Sequence, residues 1–301
     1  MGHAFYQKSL ETLTFLIEYS WFARLLINLP QNNKMAVLPI HKYFSLNGIL
    51  TDNQQFIASE NEGGVYEVIR IVEGIPLFLE DHLDRMYQSA KLAGKIIPFS
   101  PEKIIEFLAE LIKVNDVKEG NVLLSCKINL KAFFISHSYP SAGMYKDGVV
   151  CGLLHAERMN PNAKVFQTKV REQANQLISE KGFYEVLLVD QHYSVTEGSR
   201  SNVFFVKDGS LITPPAGQVL VGITRQKTLQ CATLLGLNRK EEQVKLSDLQ
   251  KFDALCITGT SPKILPVRQV ENLTFNAKNQ ILIQLMQTYD SMTNDYLQSK
   301  K

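Results

Sequence analysis

The chain has 301 residues, 45% of them hydrophobic and 21% charged, with a formal net charge of +2 at neutral pH. That length and apolar share are enough for one large or two medium domains with sizeable cores. The near-neutral balance, with no basic run interleaved with aromatics, argues against nucleic acid or a membrane surface as partner.

The four cysteines, Cys126, Cys151, Cys231 and Cys256, lie far apart and lack CxxC spacing. Reduced core thiols in a cytoplasmic protein are the expectation. Near the start, the apolar run Thr14–Leu29 is interrupted by Glu18 and Arg24 and is short for a bilayer span. His3 and Lys8 make a poor basic region for a signal peptide. Met35 would be a natural start, so a leader or mis-set start competes with an extra helix, and residues 1–34 read as dispensable.

In chain order, Val65–Val72 is rich in branched and aromatic residues and predicts a strand, with Gly74-Ile-Pro as the following turn. A helix starts around Glu80 and runs to about Gly94. Pro101 opens another, with Ile104, Ile105, Leu108, Leu111 and Ile112 on one face. Val122–Ser136 predicts two strands broken around Leu130-Lys131, and Val149–Leu154 one more. From Lys164 to Gly182 the pattern is helical, with Gly182 as its stop. Strands follow to Thr213 around a turn at Lys207-Asp-Gly209. Thr224 is the expected cap of a helix from Arg225 to Gly236, and Ser247 the cap of a short helical piece. Ala254–Thr258 reads as a buried strand. Ile281, Leu282, Leu285, Met286, Tyr289, Met292 and Tyr296 form the apolar stripe of a last helix.

The most informative stretch is Val195-Thr-Glu197-Gly-Ser-Arg-Ser-Asn202-Val-Phe204, followed by Gly222-Ile-Thr-Arg225 at a helix start. It combines a carboxylate in a turn after an apolar run with a Gly-Ile-Thr turn whose amides can hold a phosphate. Pyridoxal phosphate, with a basic ring nitrogen at one side and a phosphate at another, needs such a pair. Together with His82-Leu-Asp-Arg85 and Gly259-Thr-Ser-Pro-Lys-Ile-Leu-Pro-Val267, these motifs resemble the fold-type-IV (class IV) pyridoxal-phosphate enzymes over roughly residues 43–275. That group includes branched-chain and D-amino-acid aminotransferases and aminodeoxychorismate lyase.

The resemblance implies a two-domain α/β (α+β) fold, with a small domain over 43–154, a large cofactor-binding domain over 155–301, and 1–42 as an atypical extension. It implies pyridoxal 5'-phosphate as cofactor, amino-acid and 2-oxo-acid substrates, and a homodimer. Lysines are too common for composition to single one out. By resemblance the Schiff-base lysine is Lys164, 33 residues before Glu197, whereas Lys169 sits too close to Gly182. Glu197 would pair with the ring nitrogen, and Asn202 would orient its turn. Arg85, Ile223, Thr224 and Thr260 would hold the phosphate. After the lysine, Val165-Phe-Gln-Thr-Lys169 lacks the tyrosine usual in branched-chain enzymes.

For the substrate carboxylate, the family commonly uses an arginine or tyrosine of the small domain, but Leu124–Lys131 offers only lysines. Lys127, Lys131, His137 and Arg200 are the open alternatives. His155 and His192 have no partners at metal spacing and read as structural or surface residues. The functional expectation is an amino-acid aminotransferase. A pyruvate-releasing lyase and a catalytically silent binding paralogue are its rivals.

Overall fold

The computed structural model describes residues 37–57, 64–166 and 168–301, so the expectation for residues 1–34 lies outside the described residues. Two sheets organise the body. The first has six strands, in the order β2-β1-β6-β5-β3-β4. They are β1 (Tyr43–Leu46), β2 (Ile49–Asp52), β3 (Val65–Val72), β4 (Ile75–Pro76), β5 (Gly120–Cys126) and β6 (Leu130–Ile135). Every pairing among them is antiparallel. The break between β5 and β6 falls at Lys127–Asn129, just before the expected Leu130-Lys131.

β3 shows the period-two pattern of a half-covered strand. Val65, Glu67, Ile69 and Ile71 are buried, while Tyr66, Val68, Arg70 and Val72 on the other face are half-buried. Two helices cover the buried face, α1 (Leu79–Leu92) and α2 (Pro101–Val114), and their Leu83, Met86, Ile104, Leu108 and Leu111 join one core with Ile69 and Ile71. Ser100 caps α2 by accepting from the Lys103 amide, with proline at the first position. Ile105, expected on the buried face, is exposed. It follows Ile104 by one residue, and about 100° of helix rotation carries it off the stripe.

A short helix, α3 (Ala142–Asp147), leads into the second sheet. Its strands are β7 (Val149–His155), β8 (Glu185–Val189), β9 (Ser194–Gly198), β10 (Asn202–Lys207), β11 (Ser210–Thr213), β12 (Arg239–Glu241), β13 (Val244–Lys245), β14 (Ala254–Gly259), β15 (Lys263–Val270) and β16 (Leu273–Thr274). Their order is β12-β11-β10-β14-β15-β7-β8-β9-β13, with β16 on β15. The helix α4 (Thr168–Lys181) connects β7 to the parallel β8. Both faces are covered, as in layered α/β architectures. Leu255 and Ile257 of β14 enter one core with Leu187, Val203 and Val267. Ala254 and Cys256 enter another with Ile223 of the helix α5 (Ile223–Leu234) and with Leu282 and Leu285 of α6 (Gln280–Ser299). All four cysteines are free and buried.

Three local expectations are corrected. Helix α4 starts at Thr168, so Lys164 is not its first residue: Val165 instead bridges Val65 at the edge of β3. Gly222, and not Thr224, occupies the cap position of α5. The short helical piece spans Leu246–Lys251 with Lys245 before it and no side-chain cap.

Candidate active site

The segment carrying Lys164 is laid along the free edge of β3. The Tyr66 amide donates to the Lys164 carbonyl at 3.1 Å and the Phe166 amide to the Gly64 carbonyl at 3.0 Å. The Lys164 amide donates to Ser89 Oγ on α1 at 3.0 Å. Lys164 Nζ then sits 4.6 Å from the centroid of the Tyr66 ring, which is stacked on Phe166 at 4.0 Å. Burial lowers the Lys164 amine from its ordinary value; Tyr66 and Glu67 oppose this, and Arg85 and Arg158 add to it. Burial alone would raise the Tyr66 phenol, but Lys164, Arg171 and Arg158 outweigh it and bring the phenol down to about 8.

Glu197, at the end of β9, is buried and faces donors on both oxygens. Arg158 Nε lies 3.3 Å from Oε1. The Leu220 amide and Asn202 Nδ2 lie 3.2 and 3.5 Å from Oε2. Burial raises the Glu197 carboxyl, against the pull of Arg158, the Leu220 amide and Lys164. Asn202 also donates to the Leu220 carbonyl at 2.7 Å, which ties the turn to the approach of α5. Two glycines permit this packing. A Cβ on Gly198 would lie 2.0 Å from Ser201 Oγ, and one on Gly222 would lie 2.2 Å from Asn202 Oδ1. Glu185 holds the turn from below, accepting from Ser199 Oγ, Ser201 Oγ and the Arg200 amide.

The opposite end of the site holds a buried ion pair. His82 and Arg85, three apart on α1, both reach Glu67 of β3. His82 Nδ1 is 2.7 Å from Oε2, Arg85 Nε is 2.7 Å from Oε1, and Arg85 Nη2 is 2.5 Å from Oε2. Burial opposes the charge on Glu67, yet Arg85 and His82 hold its carboxyl down at about 2. Burial pushes His82 down despite Glu67, and with a carboxylate as partner Nδ1 is the donor. Arg85 Nη1 is 3.3 Å from the Val221 carbonyl, next to Gly222 at the start of α5. Gly222 supplies no side-chain cap, so the first amides of α5 and its dipole are open to an anion. Thr224 is buried on the first turn of α5. The Thr260 hydroxyl donates to the Val68 carbonyl at 3.2 Å.

Of the residues singled out in the sequence, Asn202 reaches Glu197 and Arg85 reaches the Val221 carbonyl beside the α5 start that carries Ile223 and Thr224, while Thr260 bonds to β3. The proposed carboxylate ligands do not share this position: Lys127, His137 and Arg200 are exposed, and Lys131 reaches the Ile57 carbonyl. Sequence reasoning passed over Glu67, Arg158 and Arg70. Arg70 shares the Tyr66 face of β3, its guanidinium lies 3.9 Å from the Tyr139 ring centroid, and its Nε is buried without an acceptor. Around it, Tyr139 donates to Asn121 at 3.0 Å and Asn121 to Ser261 Oγ, beside Thr260, at 2.9 Å. The signal was present, since an arginine at alternate spacing from Tyr66 must share its face. A surface groove of about 400 Å³ lined by Glu73, Ile105, Ile112 and Lys118 contains none of these residues. Among the described residues no cluster of histidine, cysteine or acid side chains suits a metal, and no helix is long and apolar enough to cross a membrane.

The family described as amino-transferase class IV matches residues 64–270, the span that carries Glu67, Arg85, Lys164, Glu197 and Gly222. The chain belongs to the class IV aminotransferases. This family depends on pyridoxal phosphate. Among its relatives is a Rickettsia typhi protein named "Probable branched-chain-amino-acid aminotransferase", 31% identical over 252 residues that cover 78% of this chain and 86% of that one. A D-alanine aminotransferase of Bacillus licheniformis is 29% identical, covering 71% and 81%. Among solved structures, the branched-chain aminotransferase of the thermophilic archaeon Thermoproteus uzoniensis, with norvaline, superimposes with a TM-score of 0.74. It is 23% identical, with 84% of this chain and 95% of that one covered. That likeness establishes the shared fold.

Proposed function

We propose that this class IV member is a pyridoxal-phosphate-dependent amino-acid aminotransferase, of branched-chain or D-amino-acid type, that bonds its cofactor through Lys164 and passes an amino group to a 2-oxo acid. The observation that carries the reading is the placing of a partly buried amine of lowered basicity between a buried carboxylate at one end and an arginine beside an uncapped helix start at the other.

The residues fit the cofactor. Glu197 would hold a proton on the pyridine nitrogen, and the α5 amides with Arg85 would hold the phosphate. When bound, the cofactor supplies a sink for the electron pair left on the substrate's α-carbon. Lys164 Nζ, less basic than a free lysine, would take the α-proton from the substrate and give it back. Arg158 keeps Glu197 oriented. Arg70, held over the Tyr139 ring with an unanswered Nε, is the group best suited to a substrate carboxylate. The enzyme would act as a homodimer.

Borohydride reduction followed by peptide mapping is the test, and the pyridoxyl group is expected on Lys164. Finding it on Lys169, or on no lysine, would end the assignment. A screen of amino donors with 2-oxoglutarate and pyruvate as acceptors then separates transamination from release of pyruvate out of aminodeoxychorismate.

A further inference from the structure

Glu67 lies in a strand whose other inward positions are Val65, Ile69 and Ile71, and a carboxylate there costs stability unless it is fully paired. Its side chain is 0% exposed, and it accepts from three donors of α1. The pairing has a geometric consequence for Arg85. A guanidinium has five N–H groups in a rigid fork. The Nε–Nη2 edge, the one that usually grips an anion with two parallel bonds, is taken up by Glu67. The end-on edge, with Nη1 and the second hydrogen of Nη2, is left, and Nη1 reaches the Val221 carbonyl beside the open start of α5.

We infer that Glu67 is a positioning residue that fixes the Arg85 guanidinium end-on to the anion cradle at the start of α5, so that a phosphate is met by its free Nη edge and by backbone amides. This rests on the reading that Arg85 and α5 receive the cofactor's phosphate. An unheld arginine on a helix would have to freeze its rotamers on binding, whereas here they are already fixed by a buried partner. His82 completes the support by occupying the remaining lone pair direction of Glu67 Oε2 from the same helix. Because the Glu67 carboxyl is held at about 2, the support stays charged throughout the neutral range.

A double-mutant cycle tests this. Apo-protein of wild type, Glu67→Gln, Arg85→Ala and the double variant is titrated with pyridoxal 5'-phosphate and with unphosphorylated pyridoxal, and binding is followed by ligand absorbance. Arg85→Ala is expected to weaken the phosphorylated ligand by about ten- to a hundredfold, the range of a lost charge-assisted hydrogen bond. Glu67→Gln is expected to weaken it about tenfold, to leave pyridoxal unchanged, and to add nothing in the Arg85→Ala background. Equal losses for both ligands, or the same Glu67→Gln effect with and without Arg85, would overturn the inference while leaving the functional reading intact. An Arg85→Ala variant that binds the phosphorylated ligand as well as wild type would sink the phosphate reading itself. Glu67→Asp, which keeps the charge but withdraws it by one methylene, gives the same contrast if Glu67→Gln does not fold.

Discussion

Replacing Glu197 by glutamine changes one atom, and the structure fixes what that atom meets. Oε1 faces Arg158 Nε at 3.3 Å, and Oε2 faces the Leu220 amide at 3.2 Å and Asn202 Nδ2 at 3.5 Å. All three are donors, so a side-chain amide must point its own NH2 at one of them whichever way it turns. Turned toward Arg158, it leaves the guanidinium without its carboxylate. Turned the other way, it orphans the Leu220 amide in a buried site. Asn202 cannot relieve this by flipping, because its Nδ2 also serves the Leu220 carbonyl at 2.7 Å. One buried donor left unpaired costs about 1–3 kcal/mol. Removing the desolvation of a buried charge returns part of that. The net expectation is a loss of about 1–2 kcal/mol, read as a lowered urea midpoint by circular dichroism. Turnover should fall by orders of magnitude with the cofactor still bound, since a neutral amide cannot keep the ring nitrogen protonated. Near-normal turnover with an unchanged midpoint would refute both the donor-only environment and the ring-nitrogen role.

Gly222→Ala should displace Asn202, because the new Cβ would stand 2.2 Å from its Oδ1; the expected cost is about 1–3 kcal/mol in stability, with weaker cofactor binding, and an unchanged melting midpoint would contradict it. Arg70→Leu should raise KM for amino donor and acceptor by about tenfold or more while spectral binding of the cofactor stays as in wild type, which steady-state kinetics and titration check together. The Glu67 carboxyl falls from 4.5 to about 2 on folding, so its stabilisation is fully present above pH 4.5 and is lost as pH drops from 4.5 toward 2. The stability gap between wild type and Glu67→Gln should therefore shrink by about 3 kcal/mol across that window, and acid titrations of parallel slope would show that Glu67 is not held in this way.

Much of this architecture is written in local pattern. The strand at Val65–Val72 and the stripe of α6 appear where the sequence puts them, the first from its branched and aromatic content and the second from its helical period. The errors fall where partners distant in the chain decide. Lys164 looks like the first residue of a helix, yet its backbone is claimed by the edge of β3, about a hundred residues earlier. Thr224 has the chemistry of a cap, but Gly222 takes the position because a side chain there would strike Asn202. Glu67 was readable as an anomaly, a carboxylate in step with Val65, Ile69 and Ile71. Its two partners on α1 lay hidden until strand and helix were seen face to face. Arg70 was overlooked for a similar reason: attention went to the β5–β6 region, whereas the arginine stands on the neighbouring strand opposite Asn121.

The edge pairing of residues 164–166 means that the direction of the lysine side chain is a matter of strand parity. Tyr66 and Lys164 are locked in register by main-chain bonds on either side, and the Ser89 hydroxyl holds the same peptide from α1. A change in length in the preceding 156–163 segment that keeps Arg158 on Glu197 leaves that register as it is. A slip of one residue within the pairing would instead turn the amine to the far side of the strand. For anyone grafting new substrate loops onto this scaffold, the three residues from Lys164 to Phe166, together with Gly64 to Tyr66, form the seam to leave uncut.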